Sequence, residues 1–103
     1  MKLERIAWSG ADAPREDDLH RRLDADGFEA FAWRDEPGAD YAPHAHDHDE
    51  SLWVIDGEIT FGAGGSELRL GPGDRLMLPA GTVHTARAGS AGARYLIGEK
   101  RES

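Results

Sequence analysis

Histidine and glutamate side chains that could do chemistry cluster in residues 44–50, which contain three of the five histidines. In an extended segment successive side chains alternate between two faces, so His44 and His46 point the same way. Glu50 precedes the apolar run 52–55 at an even offset from Leu52, which places its carboxylate on the apolar face. A buried carboxylate is costly unless it is paired, hydrogen-bonded or bound to a cation. The segment therefore indicates a metal site.

A fourth candidate ligand, His84, lies far along the chain, shortly after the turn at 79–81. Because it begins a predicted strand, we expect it to enter the same cavity from the opposite wall. The chain has no cysteine, so a metal must be held by imidazole and carboxylate groups. Three imidazoles and one carboxylate suit Fe, Mn, Ni, Cu or Zn and leave positions for water or substrate.

These residues and their spacing resemble the two sequence motifs of the cupin family. The residues that fit the first motif are Gly38, His44, His46, Glu50 and Gly57, and those that fit the second are Gly73, Pro79, Gly81 and His84. The resemblance implies that His44, His46, Glu50 and His84 hold one divalent metal ion. Ala88 stands where the second motif often has asparagine, so a hydrogen bond behind the ligands is expected to be missing.

Two further histidines fall outside this pattern. His48 could face inward by alternation, but the motif omits it, so we expect it to be exposed or to lie behind the ligands. His20 stands among charged residues on a predicted helix and is expected to be exposed. Apart from the metal centre itself, the candidate catalytic groups are Glu50 and His48.

The elements that must position these residues are one helix and many short strands. The helix is predicted at about 14–26, with Pro14 as its first residue, acidic side chains in its first turn, and an apolar stripe of Leu19 and Leu23. Strands are predicted at 3–8, 28–34, 51–56, 58–61, 67–70, 74–78, 83–88 and 93–98. Asp56-Gly57 is predicted to be a two-residue hairpin turn between two of them.

Six or seven strands in about seventy residues predict a sandwich or a barrel. The resemblance to cupins implies an antiparallel double-stranded β-helix, or jelly-roll barrel, at about 28–98, preceded by the short N-terminal helix. A chain of 103 residues suits a single domain, 1–103. Aromatic side chains and one methionine are expected in the core or at an interface: Phe31, Trp33, Tyr41, Trp53, Phe61, Met77 and Tyr95. Trp53 should lie outside the metal cavity.

The charge and the hydropathy pattern exclude some partners. With 20 acidic and 12 basic residues the formal net charge is −8, which would repel nucleic acid. There is no apolar run of membrane-spanning length and no apolar leader, so we expect no membrane association and a cytoplasmic location. The resemblance implies a homodimer paired through N-terminal strands near residues 3–8.

Three classes of function remain open. The first is a small metalloenzyme of the dioxygenase type, with Fe or Mn as the favoured metal and a small oxygen-bearing molecule as substrate. A metal-dependent isomerase or lyase would use the same ligands. The second is a non-catalytic module that binds or senses a small molecule. The third, a structural barrel with a vestigial site, is disfavoured because all four ligands are present.

Overall fold

The computed structural model describes residues 3–101, which form seven strands and one helix. In chain order these are β1 (Glu4–Ile6), α1 (Glu16–Ala25), β2 (Phe28–Asp35), β3 (Asp40–His44), β4 (Glu50–Ala63), β5 (Ser66–Leu70), β6 (Arg75–Leu78) and β7 (His84–Lys100). All the strand pairings described are antiparallel. The prediction of an antiparallel β fold with one short N-terminal helix is confirmed.

Two long strands, β4 and β7, pair with each other and carry the fold. The first half of β4 lies between β6 and the second half of β7, and β1 and β2 extend this layer on either side. The second half of β4 lies between β5 and the first half of β7, and β3 completes that layer. The two layers face each other, but the pairing among the described residues does not close into a ring.

The predicted hairpin at Asp56-Gly57 is wrong, because β4 continues through these residues without a chain reversal. The register between β4 and β7 shifts on either side of this pair, so the chain bends there and does not reverse. Gly57 has a φ of 77°, and a Cβ on it would lie 2.2 Å from the carbonyl oxygen of Gly92 on β7. The strands predicted at 51–56 and 58–61 are therefore two parts of β4, and those predicted at 83–88 and 93–98 are two parts of β7.

The helix α1 covers the outer face of the first layer. Its Leu19 and Leu23 are fully buried and pack in one cluster with Phe28, Trp53 and Leu96. Trp53 thus lies outside the cavity, as predicted. The helix begins at Glu16, two residues later than predicted, because the backbone of the preceding residue is extended, with φ −110° and ψ 126°.

The guanidinium of Arg75 fixes the helix end to this layer. It lies 4.7 Å from the centre of the Trp53 ring and donates hydrogen bonds to Ser51 Oγ at 2.6 Å and to Asp26 Oδ2 at 2.9 Å. A buried arginine needs such partners. The contact joins β4, β6 and the C-terminal end of α1 on the side away from the candidate site.

The main core lies between the two layers. Its buried members come from both halves of β4 and β7 and from β5 and β6: Leu52, Val54, Ile59, Phe61, Leu70, Leu76, Leu78, Ala86, Ala88, Ala93 and Tyr95. This core borders the candidate site, because five of its members line the same cavity as the candidate ligands: Leu52, Phe61, Leu78, Ala86 and Tyr95. None of the described helices is long and apolar enough to cross a membrane.

Candidate metal centre

His44 and His84 lie side by side in the second layer. They are register partners at the end of β3 and the start of β7, and their ring centres are 4.3 Å apart. The prediction that His84 reaches the cavity from the wall opposite His44 is wrong. No strand is predicted at 40–44, so the sequence does not place β3 beside β7.

Backbone carbonyl groups fix the orientation of both rings. The Nδ1 atom of His44 is 2.7 Å from the carbonyl oxygen of Ala42, and Nδ1 of His84 is 2.9 Å from that of Thr82. A carbonyl oxygen only accepts, so each Nδ1 carries the proton and each Nε2 keeps a free lone pair. Burial, together with the neighbouring histidines His44 and His46, lowers the pKa of His84, which favours the neutral form. Neutral imidazole nitrogen is a common metal ligand.

His46 and Glu50 approach this pair from the segment that joins β3 to β4. The ring of His46 is centred 5.1 Å from that of His44 and 5.4 Å from that of His84. One nitrogen from each of the three histidines lies within 4.8 Å of the others. Glu50 is buried on the same face as Leu52, as predicted, and its Oε1 lies 3.6 Å from Nε2 of His46.

His48 contacts the other oxygen of Glu50. Its Nε2 is 3.0 Å from Glu50 Oε2 and 3.6 Å from Glu99 Oε2, and its Nδ1 is 2.9 Å from Asp47 Oδ1. The hydrogen bond to Asp47, and then the carboxylates of Glu50 and Glu99, raise the pKa of His48. His46, His48 and Glu50 form a second group with ligand atoms within 4.8 Å of one another.

The four predicted ligands therefore meet at one place, in two overlapping groups that share His46. Glu50 belongs to the group with His48, whereas His44 and His84 belong to the other. His20 is exposed and lies 3.1 Å from the carbonyl oxygen of Ala30, away from this cluster. That His44, His46, Glu50 and His84 act together as ligands stays a prediction.

A cavity of about 280 Å³ opens beside the cluster. It is lined by Phe31, Trp33, Tyr41, His44, His46, Glu50, Leu52, Phe61, Leu78, His84, Ala86, Tyr95, Ile97 and Glu99. Phe31 and Trp33, which were expected in the core or at an interface, are 41% and 47% exposed at its mouth. They lie two residues apart on one face of β2. Phe31 pairs in register with Ile97 of β7, and Trp33 pairs with Tyr95.

The buried carboxylate of Asp35, which the sequence does not predict as a site residue, lies behind the aromatic side chains of Trp33, Tyr41 and Tyr95. Asp35, at the end of β2, accepts hydrogen bonds from Tyr95 Oη at 2.7 Å, from Trp33 Nε1 at 2.9 Å and from the hydroxyl of Tyr41. The hydrogen bond to Asp35, with burial, raises the pKa of Tyr41. Burial first, and then the same carboxylate, raises the pKa of Tyr95. Both phenols stay protonated at neutral pH.

The residues present fit a divalent metal ion. Two imidazoles offer oriented Nε2 atoms, and the buried carboxylate of Glu50 contacts histidines but forms no ion pair with a described arginine or lysine. A metal cation would add a full positive charge beside this carboxylate. Imidazole nitrogen with carboxylate oxygen is a donor set typical of transition metals. The cluster can therefore bind a divalent metal.

Sequence and structure comparisons agree with this picture. The chain belongs to the cupin family, because the cupin domain model matches residues 31–97. A cupin-2 domain protein of Shewanella frigidimarina has a similar fold, with a TM-score of 0.64 and 22% identity over 73% of this chain and 72% of that one. A cupin superfamily protein of Desulfitobacterium hafniense has a TM-score of 0.65 and 17% identity over 98% of this chain and 79% of that one. The predicted jelly-roll architecture is confirmed.

One relative of known activity was also found. Quercetin 2,3-dioxygenase of Bacillus subtilis is 36% identical over 80 residues, which cover 72% of this chain and 24% of that enzyme. The chain thus matches only about a quarter of the length of this relative.

Proposed function

We propose that this protein is a metal-dependent oxidoreductase of the dioxygenase type that acts on a small oxygen-bearing molecule. One divalent ion, Fe or Mn in the working enzyme, would be held by His44, His46, Glu50 and His84. The observation that carries the proposal is the orientation of His44 and His84, whose Nδ1 atoms face backbone carbonyls while both rings line an apolar cavity. The similarity to a dioxygenase over 80 residues supports the same chemistry.

Each group has a separate task in this proposal. A bound iron or manganese ion would supply Lewis acidity and redox chemistry with O₂. His44 and His84 hold their lone pairs toward the cavity, and Glu50 provides the negative charge that balances a cation. The apolar and aromatic walls exclude water from the reacting molecule and strengthen electrostatic interactions inside.

A metal-dependent isomerase or lyase is the second candidate, favoured by the acid–base cluster of His48, Glu50 and Glu99. The two nitrogens of His48 lie 2.9 Å and 3.0 Å from carboxylate oxygens of Asp47 and Glu50, so this ring can hold a proton at either atom. Proton transfer next to a carbonyl carbon needs such a group within hydrogen-bond reach.

The test begins with the metal content of protein purified without a histidine tag, measured by mass spectrometry before and after reconstitution with Fe(II), Mn(II) or Zn(II). Oxygen uptake is then followed with an electrode for vicinal diphenols, flavonols and enediols. Uptake that requires Fe or Mn and disappears in His84→Ala supports the proposal. Solvent deuterium incorporation without oxygen uptake replaces it with the isomerase or lyase. Metal binding with neither reaction replaces it with a binding module, and no metal binding overturns both enzyme candidates.

A further inference from the structure

We propose that Asp35 is a positioning residue that sets specificity: by holding the hydroxyls of Tyr41 and Tyr95 and the indole N–H of Trp33, it leaves the cavity wall without free hydrogen-bond donors. The site then accepts a ligand whose far end is uncharged and apolar, and it excludes one that carries an additional carboxylate or phosphate. The inference rests on the proposed function only in that the near end of the ligand is held at the histidine cluster.

The three donors reach Asp35 from three strands. Trp33 lies two residues earlier on β2, Tyr41 is on β3, and Tyr95 is on β7, where it pairs in register with Trp33. Asp35 is only 5% exposed, and its carboxylate forms no ion pair with a described lysine or arginine. A buried carboxylate without a cation is stabilised by hydrogen bonds from several donors, and these three side chains provide them.

The donors are used up by this arrangement. A phenol has one hydrogen to donate, and an indole has one N–H. Once given to Asp35, these hydrogens cannot reach a ligand, so the wall offers it ring faces and oxygen acceptors. The raised pKa values of Tyr41 and Tyr95 agree with phenols that keep their hydrogens.

The charges around the cavity also disfavour a ligand with an additional anionic group. Among the described residues that line it there is no lysine or arginine, whereas Glu50 and Glu99 are both present. An anionic group placed against this wall would therefore lose part of its water without gaining a donor or a cation. An uncharged ring would instead bury its surface against Phe31, Trp33 and Phe61. The volume of about 280 Å³ limits the ligand to a small molecule.

Two probes that differ by one charge test the inference. Catechol and 3,4-dihydroxybenzoate carry the same pair of vicinal oxygens, and the second adds a carboxylate at the far side of the ring. Their dissociation constants are measured by calorimetry on the full chain loaded with redox-silent Zn(II). We expect catechol to bind about tenfold or more tightly than the acid, the effect of one unfavourable polar burial. Equal binding, or tighter binding of the acid, overturns the inference.

Variants separate specificity from simple structural support. Asp35→Asn has about the same size but one acceptor oxygen fewer, so it releases a donor into the cavity, and the preference for catechol should shrink toward unity. Tyr41→Phe removes one donor altogether and should keep the preference. A preference that is unchanged in Asp35→Asn, with both probes weakened equally, would show that Asp35 only supports the fold. Thermal unfolding curves verify that each variant is folded.

A measurement on the unmodified chain covers the case in which Asp35→Asn does not fold. In protein labelled with ¹⁵N-tryptophan, the indole signal of Trp33 is assigned with Trp33→Phe. It should keep its hydrogen-bonded chemical shift when catechol binds, and a shift that shows transfer of the N–H to the ligand overturns the inference. Probe preference without oxygen uptake in the iron form would contradict only the proposed function, whereas oxygen uptake without probe preference would contradict only this inference.

Discussion

His44 and His84 are opposite each other on adjacent antiparallel strands, with ring centres 4.3 Å apart and with both Nδ1 atoms next to backbone carbonyls. Two nitrogens of the candidate metal site are thereby fixed by main-chain hydrogen bonding and strand register. The remaining candidate groups come from the 45–49 segment and from the first residue of β4.

Replacing His84 should remove much of the metal. The His84→Ala variant loses one of the two imidazoles oriented by backbone carbonyls, and we expect its metal affinity to fall by about tenfold or more. His20→Ala is the matched control, because His20 is exposed and distant from the cluster, and its metal content should equal that of wild type. Elemental analysis of untagged protein decides, and equal metal content in the two variants would disprove the site assignment.

Replacing His48 should have an intermediate effect. His48 touches Glu50 and Glu99 but is absent from the group formed by His44, His46 and His84. We expect His48→Ala to retain metal at a level nearer to wild type than to His84→Ala, since it loses only a partner of Glu50. Metal content as low as that of His84→Ala would instead make His48 a ligand, together with His46 and Glu50.

Shortening a buried side chain of α1 should lower the free energy of unfolding without affecting metal binding. Leu19 belongs to α1, and its side chain is fully buried against the outer face of the first layer. Leu19→Ala should lower the free energy of unfolding by about 2–5 kcal/mol. Arg21→Ala, on the exposed side of α1, should change it by about 1 kcal/mol or less. Urea unfolding measures both, and a loss of bound metal in folded Leu19→Ala would contradict the separation of helix and site.

Adding one methyl group at the bend of β4 should be costly. Gly57 combines a positive φ with close approach to the carbonyl oxygen of Gly92, so Gly57→Ala should lower the free energy of unfolding by more than about 1 kcal/mol. Gly71→Ala is the control, because a Cβ there meets no atom within 4 Å. Similar urea midpoints for the two variants would show that the bend does not need glycine.

The sequence predicted the location of the site better than the course of the chain through it. Alternation placed His44, His46 and Glu50 on one face because it depends on local geometry. Only the resemblance to the cupin motifs added His84 as a ligand, and the wall expected for it was wrong. The hairpin at Asp56-Gly57 was predicted wrongly because a positive φ suits a chain reversal and a bend equally. Only the contact with Gly92, far along the chain, distinguishes the two cases.

Asp35 shows a different limit of sequence reasoning. An aspartate at the end of a predicted strand reads as an ordinary boundary residue. Its hydrogen-bond partner Tyr95 is 60 residues away, and Tyr41 lies on a strand that was not predicted. The network depends on the pairing of β2 and β3 with opposite halves of β7, which no local pattern contains.

The bend of β4 at Asp56-Gly57 lies opposite a bend of β7, where the residues between Ala88 and Ala93 interrupt the pairing, and both bends change which residue numbers face the interior. Before the bend in β4 the core contains the even-numbered Leu52 and Val54, and after it the odd-numbered Ile59 and Phe61; β7 likewise changes from Ala86 to Tyr95. Each strand therefore has two frames of side-chain alternation. On β7, His84 belongs to the first frame, and Tyr95, which lines the same cavity, belongs to the second. Deleting a single residue at either bend would turn half of that strand inside out, so one site depends on both frames being kept in phase.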